Sequence, residues 1–212
     1  MTRTLLLAGA VLLSSCGPKT LILPEEPVDR AGTCGVVAAA EARAGTVDVK
    51  AALPFDAMVR ILHYPLLAGS AGERFSSETA TAVQRRMTEL QDPIIDGKWQ
   101  ELVPACKAAF PATSVEAVSL PADRFEAQLG CYELGDFVRS ALDDNVDYDE
   151  DIRPYRDLAQ RLDPLLGVAM QARAGATASA QREERDEALA AITKLGPPVA
   201  VMRECIAKFG EP

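Results

Sequence analysis

Asp123-Arg124-Phe125-Glu126-Ala127-Gln128-Leu129-Gly130-Cys131-Tyr132-Glu133-Leu134-Gly135-Asp136-Phe137-Val138-Arg139-Ser140-Ala141-Leu142 is the stretch on which the fold class turns. Phe125, Leu129, Tyr132, Leu134, Val138 and Leu142 return mostly at three- and four-residue steps, the signature of one apolar helix face. Asp123 is placed to cap the first turn, with Pro121 just ahead of it. Gly130 and Gly135 weaken the helix locally, because glycine loses more backbone freedom than any other residue.

The same reading extends outward in both directions. On the C-terminal side, Arg153-Pro154 predicts the start of a helix through Tyr155, Leu158, Leu162, Leu165 and Leu166, with Pro164 as a kink. Gly175 to Ser179 reads as a turn or a weak point. Glu183 to Leu195 is strongly helical, and Gly196-Pro197-Pro198 stops it. A last helix, Val199 to Phe209, carries Cys205 and ends at Gly210.

On the N-terminal side, Ile95, Trp99, Leu102, Val103, Cys106 and Phe110 form a stripe kinked by Pro104 and restarted by Asp92-Pro93. Ser76 and Ser77 are N-cap candidates for a helix with Ala80, Val83, Met87 and Leu90 on its buried face. Phe55 to His63 predicts a helix stopped by Tyr64-Pro65, followed by a loop from Leu66 to Phe75. Cys34 to Arg43 predicts a short helix ended near Gly45. Thr46-Val47-Asp48-Val49-Lys50 is the one alternating run, with nothing to pair against. The expected fold is all-α, a disulfide-stapled bundle of six or seven short-to-medium helices.

Composition supports this. The 212 residues are 48% hydrophobic but only 5% aromatic, and alanine carries much of the apolar share. Ala-rich, aromatic-poor sequence favours helix over strand. The formal charge of −9 repels nucleic acid and anionic head groups, and sets both aside as partners.

The first sixteen residues have a different character. Arg3 is followed by the apolar run Leu5 to Leu13, too short to span a bilayer comfortably as a helix. Leu13-Ser14-Ser15-Cys16 then sets small residues ahead of a cysteine. This tetrapeptide resembles the lipobox of bacterial lipoproteins. The resemblance covers only these residues. It implies a signal peptide over 1–15, cleavage before Cys16, a diacylglycerol on the Cys16 sulfur and an acyl group, such as palmitate, on its amino terminus. Gly17, where lipoproteins retained at the inner membrane of enteric bacteria tend to carry aspartate, tilts the expectation towards the outer membrane. Residues 16–31, with Pro18, Pro24 and Pro27 among acids, read as an extended tether, and Leu21-Ile22-Leu23 as an apolar patch within it. Residues 32–212 then form a helical, periplasm-facing domain.

With Cys16 assigned to lipid, Cys34, Cys106, Cys131 and Cys205 remain for an oxidising compartment, and two disulfides follow. Of the three connectivities, adjacency of the predicted helices favours Cys106–Cys131, which leaves Cys34–Cys205. Cys106-x-x-x-Phe110 and Cys205-x-x-x-Phe209 each precede a helix breaker, an echo that points either to a duplicated hairpin or to chance in Ala-rich helix ends.

Motifs that carry chemistry are sparse. Asp143, Asn145, Asp147, Asp149 and Asp151 alternate as EF-hand calcium ligands do. The pattern departs at Tyr148, where glycine belongs, and at Pro154, where a glutamate belongs. His63 is the sole histidine, without a nucleophile-elbow serine or a reactive-cysteine pattern around it. Phosphate-loop and dinucleotide glycine patterns do not occur. Trp99 with Ile95, Val103 and Phe110 reads as core or as the wall of an apolar groove.

The expected function is therefore that of a lipid-anchored envelope protein, non-catalytic, acting as a structural or protein-interaction module with an envelope protein as partner. No cofactor is expected beyond the covalent lipid on Cys16. The alternatives are a small-ligand or calcium-binding protein and, after it, a carboxylate hydrolase.

Overall fold

The computed structural model describes residues 20–48 and 50–210. The expected signal peptide and lipidation site, residues 1–15 and Cys16, lie outside the described residues. Among those described there is no strand, and the expected all-α class holds. Eight α-helices follow in order: α1 Pro27–Ala44, α2 Phe55–Gly69, α3 Ser77–Ile95, α4 Val103–Ala109, α5 Arg124–Leu142, α6 Asp149–Ala174, α7 Ala178–Thr193 and α8 Pro198–Phe209. Short 3-10 turns occur at Trp99–Leu102, Pro111–Ser114 and Val146–Tyr148. No described helix is long and apolar enough to cross a membrane.

The capping residues act as the sequence implies. Ser76 Oγ accepts from Thr79 N at 3.1 Å at the head of α3, and Asp123 Oδ1 accepts from Glu126 N at 2.9 Å at the head of α5. Each satisfies one of the backbone donors that a helix start leaves without a partner. Gly175, with φ of 79°, makes the reversal between α6 and α7, and Thr177 caps the latter.

Pro164 lies within a helix as expected, but Pro65, Pro93 and Pro154 behave differently from expectation. Pro65, Pro93, Pro154 and Pro164 all lie inside helices. α2 runs past Tyr64-Pro65 to Gly69, α3 runs through Asp92-Pro93, and α6 begins at Asp149, ahead of Arg153-Pro154. A proline removes one donor and crowds one carbonyl, a local cost that tertiary burial can exceed. Tyr64, Pro65 and Leu66 are all buried in α2, so stopping the helix there would expose them. Conversely, the stripe from Ile95 to Phe110 is broken by a turn and a 3-10 segment before α4 begins.

The tether is corrected in its second half. Pro27 to Arg30 is the first turn of α1, capped by the Glu26 carboxylate, which accepts from Asp29 N at 2.7 Å. Arg30 holds the incoming chain by donating to the carbonyls of Pro24 and Glu25. Leu21 and Leu23 pack on the domain rather than standing off it.

Two cores result. One gathers α1, the inner side of α2, and α4 around Cys34, Val37, Ile61, Tyr64 and Cys106. The other gathers α5 to α8 around Leu129, Leu134, Leu158, Leu162 and Met202, with Val59 and Leu66 of α2 completing it. α2 is thus shared, one face in each core. Each core carries its own disulfide. Cys34 bonds Cys106 with Cα atoms 5.4 Å apart, and Cys131 bonds Cys205 with Cα atoms 5.7 Å apart. Two disulfides were expected, but not this pairing. Sequence neighbours α4 and α5 were assigned to each other, whereas α4 packs back on α1 and α8 packs back on α5.

The two halves repeat one plan. Cys34 and Cys131 occupy the same position counted from the starts of α1 and α5. Their partners Cys106 and Cys205 sit in the fourth helix of each half, 72 and 74 residues on. Pro65-Leu66-Leu67 in α2 and Pro164-Leu165-Leu166 in α6 stand at equal distances ahead of Cys106-x-x-x-Phe110 and Cys205-x-x-x-Phe209. In each half the first helix packs chiefly on the second and third.

Candidate functional groove

α1 is rich in alanine on the face it turns between α2 and α3, and small side chains there leave space that larger ones would fill. Ala39 and Ala40 line the resulting groove, which has a volume of about 630 Å³. Met58, Ile61 and Leu62 of α2 form one wall. Met87 and Ile95 of α3 form the other, with Gln84, Thr88 and Gln91 along its outer edge. Trp99, from the 3-10 turn after α3, stands at one end, and Arg43 near the C-terminus of α1 also lines the cavity. Close approach of α1 to α3 makes this geometry. A Cβ on Gly35 would lie 2.7 Å from Met87 Sδ, so only glycine lets the helices meet there without a shift.

The rim is polar. Arg43 donates to the carbonyl of Ala51, which ties the loop after α1 across the helix end. Among the described residues Arg43 has no carboxylate partner. No acidic residue lines the groove. Ile95 is 49% exposed and Trp99 half-buried, so the Trp99 end is open to solvent.

Sequence reasoning found part of this site. Ile95 and Trp99 belong to the groove, whereas Val103 and Phe110 pack into the adjoining core, Phe110 edge-on to Tyr64 with ring centroids 5.3 Å apart. The α1 and α2 walls were missed. The available signal was the alanine run Ala38-Ala39-Ala40, which leaves room beside large neighbours.

The other candidates are dispersed. Asp143 follows the last turn of α5, where Arg139 and Arg156 approach it at 3.8 and 3.5 Å. Asn145 turns its side chain inward to accept from Asp147 N, and Asp149 and Asp151 lie in the first turn of α6. Acids in a first turn oppose the positive end of the helix dipole, which accounts for that charge run. Among the described residues no three His, Cys, Asp or Glu side chains gather to hold a metal ion. The EF-hand-like run Asp143, Asn145, Asp147, Asp149 and Asp151 is spread over the end of α5, a 3-10 turn and the start of α6.

His63 is fully buried between α2 and α7. Its Nε2 donates to the Thr193 carbonyl at 3.0 Å, which leaves Nδ1 as an acceptor without a protein partner. Burial lowers its pKa to about 4, only partly offset by that hydrogen bond. Burial pushes the Glu133 carboxyl up, an effect that Arg185, which pairs with it, opposes. Cys34, Cys106, Cys131 and Cys205 are all consumed in disulfides.

No family model, no curated protein and no solved structure matches this chain.

Proposed function

We propose that this protein is a lipid-anchored, periplasm-facing module of the bacterial envelope that works by binding rather than by catalysis, with the groove between α1, α2 and α3 as its working surface. The observation that carries the reading is the groove itself: a mainly apolar cavity whose polar lining is limited to exposed Gln84, Thr88 and Gln91 and half-buried Arg43, the usual form of a ligand site. A carboxylate hydrolase requires two facing acids in its cleft, and this lining contains none. The lipobox-like Leu13-Ser14-Ser15-Cys16 supports the anchor, and the two disulfides are consistent with an oxidising compartment. Outer-membrane residence is favoured by Gly17 following the cysteine.

Growth with an alkyne fatty acid, followed by intact-mass analysis, tests the anchor. The expected product begins at Cys16, carries acyl mass on that residue and sediments with envelopes, while Cys16→Ser abolishes labelling. A full-length, unacylated chain in the soluble cell fraction overturns the reading.

A further inference from the structure

We infer that the groove takes the hydrocarbon chain of a single-chain anionic amphiphile and sets its head group against Arg43. The inference rests on the groove being the working surface and names what it binds. Its first support is shape and chemistry. Val36, Leu53, Met58, Ile61 and Leu62 give a continuous aliphatic lining, and about 630 Å³ falls within the size range of small-molecule sites.

Its second support is charge. The protein carries 31 acidic against 22 basic residues, yet the one charged residue in the groove lining is Arg43. Arg43 is half-buried and has no carboxylate partner among the described residues. A guanidinium offers a planar fork to a carboxylate or phosphate. One Nη1 donor already serves the Ala51 carbonyl, and a neutral ligand would leave the remaining donors without an anionic partner.

Its third support is position. Leu21 packs so tightly on Gly97 that a Cβ there would lie 2.8 Å from Leu21 Cδ1. Gly97 is flanked two residues away on either side by Ile95 and Trp99, which line the groove. Cys16 precedes Leu21 by five residues, at most about 17 Å of extended chain. An acylated Cys16 would therefore hold the Trp99 end of the groove within a short tether of a bilayer, the reservoir from which amphiphiles partition.

Trp99 is the single tryptophan of the chain, so its emission reads the groove directly. The full chain carrying Cys16→Ser is titrated with a fatty acid bearing a nitroxide on its alkyl chain, below the concentration at which it forms micelles. The expected result is saturable quenching of Trp99. Arg43→Gln weakens binding about tenfold, the scale of one charge-assisted hydrogen bond, and Arg43→Lys recovers most of it. The methyl ester of the probe binds wild type and Arg43→Gln alike. Ala39→Phe, which fills the groove, removes saturable quenching while leaving the thermal transition in place. Linear quenching without saturation, or equal affinities for acid and ester in wild type, overturns the inference. Acyl mass on Cys16 of the native protein, measured separately, distinguishes the two failures. Acylation without saturable quenching removes the amphiphile site alone, and its absence removes the anchor.

Discussion

His63 Nε2 and the Thr193 carbonyl oxygen meet at 3.0 Å across 130 residues of sequence, with both side chains fully buried. The contact ties α2, the helix shared by both cores, to the end of α7. It also holds the one imidazole of the chain where charge is costly.

Acid should therefore loosen the fold through this residue. In the unfolded chain His63 takes up a proton near pH 6.5, and in the folded protein only near pH 4. Between those values the unfolded state binds more protons, so the neutral imidazole's contribution is complete above pH 6.5 and is lost as pH falls towards 4. The loss is on the order of 3 kcal/mol. Urea unfolding at several pH values, for wild type and His63→Gln, measures it. The variant's stability should fall less steeply over that interval, and equal slopes would show that His63 does not titrate in this way.

Helical glycines should divide by what faces them. A Cβ on Gly130 would lie 3.0 Å from Ile192 Cβ, a stiff, buried, branched side chain, so Gly130→Ala should destabilise by about 1–3 kcal/mol despite alanine's better helix propensity. Gly167 in α6 is exposed with nothing within 4 Å of such a Cβ, so Gly167→Ala should stabilise by about 0.5–1 kcal/mol. Thermal melts of the two variants should shift in opposite directions.

Each disulfide should count separately. Closing loops of 72 and 74 residues stabilises by about 4 kcal/mol apiece in the chain-entropy model. Replacing Cys131 and Cys205 by alanine should lower the denaturation midpoint while the Cys34–Cys106 link survives. Non-reducing peptide mapping reads the pairing directly, and a Cys106–Cys131 peptide would contradict the structure.

Removing the cap of α3 should cost less. Ser76→Ala deletes the acceptor for Thr79 N and should destabilise by about 1 kcal/mol. Ser76→Asp should retain most of the stability, and denaturant titrations of the three proteins rank them.

Local signals in the sequence were read well where they act locally. Ser76 and Asp123 cap the helices they were expected to open, and the apolar positions of α5 and α3 are buried or half-buried in phase. Proline was misread for the opposite reason. Its cost is local, but at Pro65 the outcome depends on what Tyr64 and Leu66 bury in three dimensions, which no short window contains. The disulfide pairing failed likewise. Proximity along the chain suggested Cys106 with Cys131, whereas packing returns α4 to α1 and α8 to α5. The groove was half legible: Trp99 and Ile95 announce an apolar wall, but the walls from α1 and α2 depend on how three helices pack, which local sequence does not carry.

The linkage pattern has a further consequence. Cys34 joins the next cysteine along the described chain, Cys106, and Cys131 joins the next after that, Cys205. A polypeptide emerging N-terminus first from any channel presents these thiols in that order, so an oxidase that couples each newcomer to the one waiting before it produces the native topology without reshuffling.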